Sequence, residues 1–158
     1  MSHSSAPHFR ARRAGFTVLE MMVVLVIVGI TTAMTAGRIQ ALMVQNRVQR
    51  ATTAVQNDIE AAFAIASRDR RPIRSSWTPA TMQLNVTDRA GTTAFRRTTL
   101  GIAAYGLRRT DVTFSSNPIE IYPDGLAQAA DTITITKFSY TKRVIMSRSV
   151  LVLVQGQP

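Results

Sequence analysis

A chain of 158 residues has room for one ordinary core and a further element, and not for two well-packed domains. It has no cysteine, which excludes a disulfide framework, a thiolate metal site and a cysteine nucleophile. Its 19 Lys+Arg against 9 Asp+Glu give a formal net charge of +10, suited to nucleic acid, anionic lipid or an acidic protein surface without choosing among them.

Residues 1–15, MSHSSAPHFRARRAG, are polar and lack apolar periodicity, so they read as a leader with no stable structure of its own. An apolar run follows from Phe16 to Gly37, 22 residues long. At ~1.5 Å per residue it spans about 33 Å, enough to cross a hydrocarbon core of ~30 Å. Arg10, Arg12 and Arg13 precede it, which predicts a cytoplasmic N-terminus and delivery of the remainder across the membrane. Glu20 is the one charge in the run, and a carboxylate in lipid costs on the order of 2.5–3.5 kcal/mol by insertion scales. A cleaved secretory signal ending at Ala33, a twin-arginine signal built on Arg12-Arg13, and a plain single-pass anchor each explain part of the pattern. None of them gives Glu20 a partner. Snorkelling of Glu20 toward the interface, near the positive end of the helix dipole, is a further reading of that residue.

Gly15 followed by FTVLE resembles the class III leader junction of type IV pilins and type II secretion pseudopilins: Gly, then Phe, then Glu as the fifth residue, then an uninterrupted apolar run. The resemblance implies that a prepilin peptidase cuts between Gly15 and Phe16 and methylates the new amino group of Phe16. It also implies that Glu20 is an assembly residue, pairing with the terminal amine of a neighbouring subunit. The physical logic is that a terminal cation and a carboxylate, each costly alone in lipid, satisfy one another when subunits stack.

From Arg38 the pattern becomes amphipathic. Ile39, Leu42, Met43, Val48, Ala51, Val55, Ile59, Ala62, Phe63 and Ala66 recur at spacings of mostly three and four and trace one helix face. Arg38, Gln45, Arg47, Gln49, Arg50, Gln56 and Asn57 occupy the other. Pro72 predicts an end near Arg68 to Arg71. The expected organisation is a leader (1–15), a transmembrane helix (16–37), an amphipathic spine helix (38–71) and a β-rich head (72–158). The stretch QNDIEAAFAIASRDRRPIR, residues 56–74, resembles the H-type minor pseudopilin and FimT subgroup, as does the IEIYPDG strand-turn at 119–125.

In the head, Met82, Leu84 and Val86 alternate with polar residues, and TDRAG (Thr87 to Gly91) predicts a turn before a strand over 93–98. Residues 100–110 have no clear period and read as loop. DVTF, IEIYPDG, TITITKF, RVIM and SVLVLV supply further short strands, with Pro123-Asp124-Gly125 fitting a type I turn. The fold class expected is α+β, a long helix packed on an antiparallel sheet.

The two histidines, His3 and His8, lie in the expected leader, so the processed chain has no imidazole for general-base or metal chemistry. No Gly-rich phosphate loop, serine elbow or paired-carboxylate signature occurs, and Asp124 with Asp131 lacks the dense oxygen set that calcium requires. The expectation is a non-enzyme without cofactor or metal. The part from Arg38 onward carries 16 basic and 8 acidic residues. Arg96, Arg97, Arg108, Arg109, Lys137, Lys142, Arg143 and Arg148 are candidates for a phosphate-binding stripe, against the alternative of a solvated basic surface. FimT-like minor pilins are associated with DNA capture; the Gly-Arg-x-Arg element of that subgroup has no counterpart in LVQGQP. The resemblance implies a minor pseudopilin near the tip of a periplasmic pseudopilus in type II secretion, or alternatively a FimT-like minor pilin in pilus assembly or DNA uptake. Its implied partners are other pilin subunits, the prepilin peptidase, an inner-membrane assembly platform and lipid.

Overall fold

The computed structural model describes residues 15–149 and 152–157. The leader up to Ala14, with its arginines and histidines, lies outside the described residues, as do Val150 and Leu151 of the last expected strand. The chain divides into two compact units, Met1–Ile39 and Gln40–Pro158. One helix, α1 (Val18–Asp69), contributes residues to both.

In the first unit α1 is apolar and its side chains are exposed, Val18 at 78% and Leu25 at 70%. Its most apolar window has a mean hydropathy of 2.2 with none of it buried, so by length and composition it suits a membrane span. The hydroxyls of Thr31 and Thr32 in this run are satisfied within the helix. Thr31 Oγ1 donates to the carbonyls of Ile27 and Val28, both at 3.0 Å, and Thr32 Oγ1 donates to Val28 at 2.7 Å. Such back-bonding removes the cost of a bare hydroxyl in hydrocarbon.

In the second unit α1 turns amphipathic and buries Val48, Ala51, Val55, Ile59, Ala62, Phe63 and Ala66, seven of the ten positions expected on the apolar face. Ile39, Leu42 and Met43, expected on the same face, are exposed. Periodicity marks a helix face but not how far along it a cover extends, and full burial begins only at Val48. The helix ends at Asp69, where Arg70 takes a left-handed φ of 51° ahead of Pro72, as the proline predicted.

Among the described residues eight strands follow, in two antiparallel sheets. The first contains β1 (Ile73–Thr78), β2 (Gln83–Asp88), β3 (Ala94–Thr99) and β5 (Ile119–Ile121), in the order β3-β2-β1-β5. The second contains β4 (Val112–Phe114), β6 (Asp131–Lys137), β7 (Tyr140–Met146) and β8 (Val152–Gln157), in the order β4-β6-β7-β8. Alternation of burial along the strands puts Ile73, Trp77, Leu84, Val86 and Ile121 of one sheet, and Ile133, Ile135, Val144 and Met146 of the other, into one core with the helix. The expected single sheet is thus two. Residues 100–110, expected as loop, instead hold a one-turn helix α2 (Ile102–Tyr105) and a 3-10 turn (Arg109–Asp111). One helical turn is too short to show a period, which is why the pattern missed both.

Two features join the sheets. Trp77 on β1 stacks on Phe114 of β4 with ring centroids 5.1 Å apart, and the Asn117 side chain accepts from Trp77 N and donates to Trp77 O, both at 2.8 Å. Farther on, the segment 126–128 is bonded on both sides. Tyr122 N donates to Leu126 O and Gln128 N to Glu120 O beside β5, while Ala127 N donates to Arg148 O just past β7, each at 2.8 Å. The turn that launches this segment closes through Gly125 N donating to Tyr122 O at 3.1 Å, the tight turn expected at Pro123-Asp124-Gly125.

Candidate functional site

The expected processing and assembly residues fall at the head of α1. Gly15 and Phe16 precede the first helical turn, and Phe16 is 70% exposed. Thr17 caps the helix, its Oγ1 accepting from Glu20 N at 3.2 Å, so Glu20 occupies the third helical position of a Thr-x-x-Glu sequence. TVLE is a capping signature that the sequence reading passed over. It gives the acid a local role, close to the positive end of the helix, alongside any role in assembly. Among the described residues the Glu20 carboxylate has neither a hydrogen bond nor an ion pair.

The eight basic candidates do not gather in one place. Arg96 and Arg97 lie on β3 of the first sheet. Arg96 Nε donates to Asp58 Oδ1 of α1 at 2.7 Å, and Arg97 Nε donates to Asn85 Oδ1 at 3.1 Å. Asp58 is 1% exposed, so Arg96 is occupied in neutralising a buried acid. Lys142 and Arg143 are on β7, and Arg148 donates to Gln128 O at 3.1 Å beside the segment that joins the sheets. Arg109 lies in the 3-10 turn.

Arg108 and Lys137 share the lining of a cavity of about 540 Å³ that Arg47 and Arg50 of α1 also line. Lys137 Nζ donates to Gly106 O and lies 3.5 Å from Asp111 Oδ2, which also accepts from Arg108 N at 2.9 Å. Gly106, at φ 67°, ends α2 in the left-handed region, and a Cβ there would stand 3.1 Å from Arg47 Nη1. Arg47 and Arg50 were assigned to the solvent face of the helix from sequence, and nothing in their spacing announced the loop that meets them.

Among the described residues no group of three or more His, Cys, Asp and Glu is placed to hold a metal ion. Asp131 and Asp124 are engaged separately. Asp131 Oδ1 accepts from Ser115 Oγ at 2.5 Å and Ser116 N at 2.8 Å, and Asp124 Oδ1 accepts from Leu126 N at 3.0 Å.

Residues 10–36 match the prokaryotic N-terminal methylation motif. No curated protein sequence matches the chain. Among solved structures, the fold is similar to the type IV minor pilin FimU of Pseudomonas aeruginosa strain PAO1 in a P21 crystal. The TM-score is 0.55 at 15% identity, covering 72% of this chain and 90% of that one. The same protein in a P65 crystal gives a TM-score of 0.48 at 15% identity, covering 72% and 92%. A likeness at this identity is one of fold: the chain has a fold similar to that of a type IV minor pilin, and residues 10–36 carry the methylation motif at the start of its apolar helix.

Proposed function

We propose that this chain is a minor subunit of a type IV pilin-like filament, cut between Gly15 and Phe16 and methylated on Phe16. In this reading residues 16–37 hold it in the inner membrane with the leader in the cytoplasm and the head in the periplasm. Glu20 receives the amine of a neighbouring subunit as the filament grows. The observation that carries the reading is a carboxylate four residues past Phe16, on an apolar helix with exposed side chains, that has no partner within the described chain. A bilayer covers the apolar side chains, and a cation from a neighbouring subunit satisfies the acid.

The work of such a subunit is mechanical. As the H-type resemblance suggests, it assembles near the tip of a type II secretion pseudopilus and helps move folded proteins outward. The alternative is a FimT-like minor pilin, serving pilus assembly or DNA uptake. It draws support from the pilin-like head, whose fold resembles that of a minor pilin.

Intact-mass and N-terminal sequencing of the chain extracted from membranes that contain a prepilin peptidase tests the processing step. The expected product begins at Phe16 with one added methyl group. A product starting at Met1, or at Met34 after a cut behind Ala33, overturns the assignment. Deleting the gene and assaying secreted enzymes against surface pili and transformation then separates the two machines.

A further inference from the structure

The cavity beside α2 has a composition that a filament subunit does not require. Arg47 and Arg50 lie three residues apart on α1 and therefore share a face, Arg108 comes from the loop after α2, and Lys137 from the end of β6. No acid is among the lining residues, and Asp111, which accepts from Arg108 N and lies 3.5 Å from Lys137 Nζ, is already engaged. None of the three arginines has an ion-pair partner among the described residues. Unneutralised cations around one cavity repel each other, and a bound anion removes that penalty.

Two details narrow the anion. Guanidinium groups present planar forks that match phosphate oxygens, and Arg47 is pre-placed by its contact with Gly106, where any Cβ would crowd it. Part of the lining is apolar: Ile102 is 71% exposed and is followed by Ala103 and Ala104, both also exposed. A cationic pocket with an uncovered apolar wall fits an amphiphile, charged at one end and greasy at the other.

We propose that this cavity is a phosphate-binding site whose occupant is the headgroup of an anionic phospholipid, with Ile102 against the adjoining apolar part. The site is independent of cleavage at Gly15 and of Glu20, so it stands or falls separately from the filament reading.

The test uses the full chain in phosphate-free detergent, with native mass spectrometry counting retained phosphatidylglycerol or phosphatidylcholine. The variants are Arg50→Gln with Arg108→Gln, and a control, Lys142→Gln with Arg143→Gln on β7. Both arginines are exposed, and a thermal melt verifies that each variant is folded. Wild type and control are expected to retain phosphatidylglycerol over phosphatidylcholine, and the cavity variant to lose that retention by about tenfold or more. Amide shifts at Ala103 and Gly106 on adding the lipid are expected to locate it.

Equal retention by the cavity variant, equal loss in the control, or no preference for phosphatidylglycerol overturns the proposal. Inorganic phosphate that shifts the same amides, with no lipid retained, overturns the lipid as occupant and leaves a free-phosphate site. A short DNA duplex whose binding falls in the cavity variant, while lipid retention is unchanged, assigns the arginines to nucleic acid instead.

Discussion

Asp58 is 1% exposed, with one carboxylate oxygen on Arg96 and the other without a partner. Removing Arg96 leaves a buried acid uncompensated, which is more costly than losing an exposed contact. Arg96→Ala is therefore expected to destabilise the head by ~2 kcal/mol, and Arg97→Ala, one residue on and bonded only to Asn85, by less than ~0.5 kcal/mol. Urea unfolding of the two variants measures the contrast; equal losses would mean that the Asp58 link does not matter. Neighbouring arginines that look equivalent in the sequence are thus predicted to have different roles, because partner choice depends on a helix 38 residues earlier in the chain. Glu20 is the opposite case, its backbone N–H bonded within its own first turn to Thr17. Glu20→Ala is expected to leave membrane insertion intact and to reduce recovery of the subunit in sheared filaments, and recovery at the wild-type level would remove its pairing role.

Among the elements, the β2–β3 hairpin turn holds a carboxylate that ties it to pH. Asp88 is held below the ordinary carboxylate range, first by the hydroxyl of Thr92 donating at 2.6 Å and then by Thr93 N at 2.9 Å. A depressed folded value means the turn gains stability above the ordinary carboxylate range and loses it as pH falls through the folded value. The protection factor at Thr93 N, the exchange rate corrected for its intrinsic value at each pH, is expected to fall on acidification, and Asp88→Ala to abolish that dependence; the same pH dependence in the variant would count against the turn as its source. The turn itself was legible, since TDRAG carries its own chemistry and Gly91 takes the φ of 77° it needs. So were β2, β6 and β7, whose alternation survives as burial. α2 was not legible, and neither was the division into two sheets. Alternation tells which way each side chain points, whereas pairing between distant strands such as β1 and β5 depends on the path of the whole chain. The cavity was hidden for the same reason, being assembled from α1, the loop around α2 and β6.

For the head as a whole, the core was foreshadowed by the helix face from Val48 to Ala66 and by the strand residues that meet it. Where one sheet was expected there are two, and among the described residues no ladder pairs them directly. The segment 126–128 joins them through backbone bonds to both, and Ala127 N to Arg148 O is one that a single substitution removes cleanly. Ala127→Pro deletes the donor. The expected result is a broader melt whose van't Hoff enthalpy falls below the calorimetric one, as cooperativity between the sheets weakens. An undiminished ratio would show that Trp77 and Phe114 suffice.

That short stitch also governs how the head carries mechanical load. Tension reaching β5 has a covalent route and a hydrogen-bonded route into the segment just past β7, so a tug on one sheet is spread over both instead of peeling its edge. In an optical trap, the intact head is expected to yield in one step, and the Ala127→Pro variant to give way in two.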